Sequence, residues 1–100
     1  MSIIRVTVRT FQSVEHANMF IVMSEKVAND SNNTDLKINV KVIQNVGQKN
    51  QVTSIWEYDD EKHIREVRRY LSQFNIIPNS LLTKEIAYEG EVKVSAKNKD

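Results

Sequence analysis

The side chains best equipped to hold a small molecule are Arg5, Arg9, Trp56, Glu57 and His63. Arg5 and Arg9 lie in a segment of alternating polarity, which places both on one side of an extended chain. A guanidinium presents a planar fork that matches a carboxylate or phosphate. Trp56 and Glu57 are neighbours, so a strand there turns an aromatic to one face and a carboxylate to the other. His63 follows Asp59-Asp60-Glu61, and an imidazole beside carboxylates can act as a base in a cleft. Each has a structural use too. The arginines can pair with glutamates on adjacent strands, and His63 can be an exposed residue in the first turn of a helix.

Other chemistry is excluded by what the chain lacks. With no Cys it has no disulfide, thiolate nucleophile or Fe–S cluster. Its two glycines, Gly47 and Gly90, cannot build a phosphate-cradling loop. His16 and His63 carry no metal-ligand spacing. We therefore expect neither metal nor cofactor, and no catalytic residue can be assigned. Lys+Arg number 14 against 13 Asp+Glu, which argues against nucleic acid and anionic membrane as partners. Arg65, Arg68 and Arg69 are tempered by Glu61 and Glu66, as on a solvated helix face. The longest apolar run is Met19–Met23, far short of the roughly 20 residues of a membrane span. Arg5 and Arg9 interrupt any leader-like core. The expected location is cytoplasmic.

Periodicity supplies the elements that position these groups. Ile4, Val6, Val8 and Thr10 alternate with Arg5, Thr7 and Arg9, which predicts a strand over Ile3–Phe11. Ser13 caps a helix whose stripe is Ala17, Phe20, Ile21, Ser24, Val27 and Ala28. Met19 and Met23 widen it, as core filler or an adaptable contact. Leu36–Val42 is a second strand and Val52–Tyr58 a third, joined by a short loop and so antiparallel. Asp59 or Asp60 caps a second helix, with Ile64, Val67, Leu71 and Phe74 as its buried stripe and Asn75 near its end. Pro78 stops that helix, and Ile76, Ile77, Leu81 and Leu82 should fold back over the core. Lys84–Ala96 is the fourth strand, where Gly90 marks a bulge or a close approach.

The order β-α-β-β-α-β repeats one plan over 3–43 and 52–96. With right-handed crossovers it predicts an α+β, ferredoxin-like domain spanning 1–96, with a frayed tail at 97–100. The sheet is four-stranded and antiparallel in order 4-1-3-2, with both helices on one face. The even positions of strands one, two and four are aliphatic and should lie under the helices. Arg5 and Arg9 then fall on the open face, between a Glu85, Glu89 and Glu91 row and Glu57. Strand three can turn either way, but burying Glu57 without a partner is costly, so Trp56 and Tyr58 should face the helices. RNA-binding sheets stack bases on aromatics of both central strands, whereas strand one offers arginines.

In this arrangement the chain resembles the dimeric α/β-barrel superfamily. The segment Ile55-Trp56-Glu57-Tyr58-Asp59-Asp60-Glu61, leading into Ile64, is similar to the third strand of its antibiotic-biosynthesis-monooxygenase branch. The resemblance implies a homodimer whose sheets face each other. It also implies a small-molecule pocket at the open sheet face for an anionic or polar-aromatic ligand, and a cofactorless monooxygenase-like activity. Arg5, Arg9, Glu57, His63 and Trp56 are the ligand-binding candidates. The alternative is a non-catalytic assembly protein that uses the sheet face alone.

Overall fold

The computed structural model describes residues 2–74 and 79–99. Its elements are β1 (Ile3–Phe11), α1 (Val14–Ser31), β2 (Val40–Gln44), β3 (Gln51–Tyr58), α2 (Glu61–Leu71) and β4 (Leu82–Glu91). The four strands form one antiparallel sheet in the order β2-β3-β1-β4. This is the ferredoxin-like arrangement expected from the element order.

Local chemistry sets the helix starts. The Ser13 hydroxyl accepts from the His16 amide at 3.1 Å. The Asp60 carboxylate accepts from the His63 amide at 2.8 Å, so Asp60 rather than Asp59 is the cap. α2 ends at Leu71 with Ser72 as its cap. Asn75, Ile76, Ile77 and Pro78 lie outside the described residues.

β2 is shorter than expected. Leu36 and Ile38 precede its ladder, yet both still pack on the Tyr58, Ile64 and Val67 cluster. β4 ends at Glu91, and the Val92 amide then donates to the Ser2 carbonyl at 3.1 Å. Gly90 sits in regular register opposite Ile4. The irregularity is at the other end, where the register shifts between Thr10 and Phe11. Thr83 is the extra residue there, and its hydroxyl donates to the Thr10 carbonyl at 3.2 Å.

Register also reverses two strand faces. β1 pairs with β3 so that Thr7 opposes Ser54, Arg5 opposes Trp56 and Ile3 opposes Tyr58. Directly opposed residues share a face. Trp56 and Tyr58 do lie on the helix side, and they carry the odd positions of β1 with them. Phe11 is 1% exposed in a cluster with Ala17, Phe20 and Val52, and Ile3 packs on the Tyr58, Ile64 and Val67 cluster. Arg5 and Arg9 are thus beneath the helices rather than on the open face. β4 follows, since Glu85 opposes Arg9 and Glu89 opposes Arg5. Its even residues face away: Ile86 is 52% and Tyr88 65% exposed. The open face therefore carries Ile4, Val6, Val8, Ile43, Ile55, Ile86 and Tyr88.

Candidate functional site

A cavity of about 300 Å3 lies between the helices and the sheet. It lies on the covered face of the sheet, whereas the sequence reading expects a pocket on the open face. Its floor is Arg9 of β1, Val40 and Val42 of β2, and Ser54 and Trp56 of β3. Phe20, Met23, Ser24, Lys26 and Val27 of α1 form one wall. Leu71 and Phe74, at the end of α2, form another. The volume is at the lower end of small-molecule sites, and a mostly apolar lining with a few polar groups is their usual composition.

Arg9 is the polar centre of the floor. Its Nε donates to Glu85 Oε2 at 3.0 Å, and one terminal nitrogen donates to the Ser54 hydroxyl at 3.3 Å. Its Cζ stands 5.0 Å from the Phe20 ring centroid, a cation–π contact. A guanidinium has five N–H groups. Two are used here, so the rest of the fork has no partner among the described residues. Burial draws the Arg9 pKa below the usual arginine value, opposed by the charge and hydrogen bond of Glu85, while nearby Arg5 lowers it further. The group is an oriented cation beside an apolar space, which is what recognition of an anionic oxygen needs.

Trp56 adds a flat wall, stacked on Tyr58 with centroids 6.1 Å apart and planes 5° apart. Its indole N–H meets no partner among the described residues. Tyr58 is buried, and burial raises its hydroxyl pKa; Arg5 and Arg68 oppose that shift and Glu89 adds to it.

The other candidates separate from this centre. Arg5 donates to Glu89 at 3.1 Å, and Arg68 of α2 donates to the same carboxylate oxygen at 3.0 Å. That network ties α2 to the sheet beside the cavity. Glu57 stays on the opposite face, where Asn39 donates to it at 3.4 Å. It pairs with neither arginine. His63 is 7% exposed rather than a solvated helix-start residue. Its Nδ1 accepts from the Asp59 amide at 3.0 Å, and its Nε2 lies 2.7 Å from the Lys37 carbonyl. Both ring nitrogens are occupied in joining the start of α2 to the entry of β2, so His63 has no free nitrogen to act as a base. Among the described residues no His, Asp and Glu cluster can hold a metal ion, and no helix is long and apolar enough to cross a membrane.

Sequence reasoning missed Phe20, Met23 and Phe74 as pocket walls. Their helical spacing marks them as inward-facing, but periodicity does not distinguish a filled core from a lined cavity.

One wall carries a pH-sensitive latch. The Tyr70 hydroxyl donates to Asp30 Oδ2 at 2.7 Å and lies 3.2 Å from the Val27 carbonyl oxygen. Burial first, then the Asp30 hydrogen bond and charge, push its pKa up to about 12. The neutral phenol is favoured in the folded state. Its stabilisation is therefore complete below the unfolded value of about 10 and is lost as pH rises toward about 12. We expect the urea midpoint to fall between those pH values, and to fall less steeply in Tyr70→Phe. Parallel pH profiles for the two proteins would refute the latch.

No protein-family model and no curated protein sequence matches this chain. Solved structures do match it. A dimeric ferredoxin-like protein from an uncultured marine organism superposes with a TM-score of 0.75 at 14% identity, over 99% of this chain and 93% of that one. A variant of SnoaB, a cofactor-independent oxygenase from Streptomyces nogalater, gives 0.69 at 10% identity, over 97% and 98%. A Bacteroides thetaiotaomicron protein assigned as an antibiotic biosynthesis monooxygenase gives 0.69 at 9% identity, over 99% and 96%. What they share with this chain is the fold. The ferredoxin-like architecture read from the element order is thus that of both the dimeric and the monooxygenase structures. At these identities no residue role passes from one chain to the other.

Proposed function

We propose that this protein is a homodimer that binds a planar aromatic acid in the cavity between helices and sheet, in the manner of a cofactor-independent oxygenase. The observation that carries this reading is Arg9. It lines an apolar cavity with part of its fork unpartnered, beside the flat wall of Trp56. An anionic oxygen against the guanidinium and a ring system against Phe20, Val42 and Trp56 would satisfy both kinds of lining. A fixed positive charge also favours the ionised form of a bound phenol. A sufficiently electron-rich phenolate can pass one electron to dioxygen without a metal or flavin, giving a phenoxyl radical and superoxide that recombine at a ring carbon. Assembly through the open face needs no such cavity, so binding stands at the centre of the reading.

Dimerisation rests on the open face. An uncovered aliphatic sheet face is a poor surface to leave in water. The matching marine structure is described as dimeric.

Trp56 is the chain's one tryptophan, so its indole N–H gives a single resonance at the cavity wall. Titration with 2-naphthoate should move that resonance. Arg9→Met keeps most of the apolar stem and should weaken binding at least about tenfold, the effect of losing a charge-assisted hydrogen bond. An indole resonance that stays fixed at millimolar naphthoate would refute the binding site. Oxygen uptake with 1-naphthol in metal- and flavin-free buffer tests turnover.

A further inference from the structure

The charge pattern of the cavity lining says more about the ligand than Arg9 alone does. Two charged side chains line it, Arg9 on the sheet and Lys26 on α1, and both are cationic. No Asp or Glu lines it among the described residues. Arg9 is partly neutralised by Glu85. Lys26 makes no ion pair or hydrogen bond among the described residues. Phe20, which holds the Arg9 guanidinium against α1, precedes Lys26 by six residues. That spacing sets the two helix positions about 9 Å apart along the axis. An aromatic acid with a second acidic group can meet both cations.

We infer that the cavity takes a dianionic aromatic acid, its inner carboxylate on Arg9 and its outer one on Lys26. This deepens the binding reading above and rests on it. The apolar lining between the two cations accepts the ring system. With no carboxylate among the lining residues, nothing there repels the second charge. The outer pair is the more exposed, so its contribution should be the more sensitive to salt.

The test follows the Trp56 indole resonance of the full chain with three probes: 2-naphthol, 2-naphthoate and 2,6-naphthalenedicarboxylate. The diacid should bind about fivefold more tightly than the monoacid at low ionic strength, an advantage typical of one exposed ion pair. Lys26→Met keeps the apolar stem and removes the charge. It should remove the diacid's advantage over the monoacid. Lys26 is exposed, so the variant should fold, which circular dichroism verifies. If the monoacid binds but the diacid gains nothing, or keeps its gain in Lys26→Met, the two-ended ligand is refuted and the binding site stands. If neither acid moves the resonance, both are refuted.

Discussion

Val67→Asp should abolish cooperative folding. Val67 is 1% exposed and sits in the cluster with Tyr58 and Ile64, onto which Ile3, Trp56 and Leu71 pack. Its neighbours are apolar, so an introduced carboxylate either stays charged without a partner or takes up a proton. Either course costs several kcal/mol. A domain of this size has roughly 5–15 kcal/mol of stability in total. Val67→Ala is the control. It removes buried methyl groups without adding charge and should cost only about 2 kcal/mol. Far-UV circular dichroism with temperature reads both. A Val67→Asp protein melting cooperatively within a few degrees of the wild type would show that α2 does not use this face.

The second large effect concerns assembly. Val6 lies at the centre of the open face, opposite Ile55 on one side and Tyr88 on the other. In a lone chain this position borders water, so Val6→Glu should leave the protomer folded. In a face-to-face dimer it buries two like charges against aliphatic side chains, one from each copy. The loss should be several kcal/mol, enough to shift a micromolar dimer to monomer. Light scattering should give twice the 11.6 kDa chain mass for the wild type and the single mass for the variant. A wild type that runs as a monomer at tens of micromolar would refute the assembly. So would a Val6→Glu protein that remains dimeric.

These variants separate what a linear reading can decide from what it cannot. Val67 was identifiable at once, because Ile64, Val67 and Leu71 repeat at helical spacing after an acidic cap. The Ser13 cap is legible for a similar reason, since capping depends on a side chain and an amide three residues away, and the second cap is legible as Asp59 or Asp60, of which the structure selects Asp60. Trp56 and Tyr58 were placed beneath the helices by the cost of burying Glu57. The faces of β1 and β4 went the other way. Their aliphatic rows look like core, and in a protein with one covered sheet face they would be. Here both sheet faces have a claim on apolar residues. The helices cover one through Ile3 and Phe11, and the open one keeps Ile4, Val6 and Val8. His63 shows the same limit on a smaller scale. Its place in a first turn predicted exposure, but the Lys37 carbonyl that receives its ring comes from a segment distant in sequence.

The sequence by itself determined the element order, the sheet topology and the helix starts. All follow from local spacing and from the few connections a short chain can make. Only the tertiary structure decided where the ligand candidates stand. The side-chain period of a strand is two, so a register shift of one residue moves a whole row to the other face. Opposing Thr7 to Ser54 put Arg9 beneath Phe20 and beside the cavity, and left the aliphatic row facing out. That register is set by pairing between segments more than forty residues apart, through packing that no local pattern encodes.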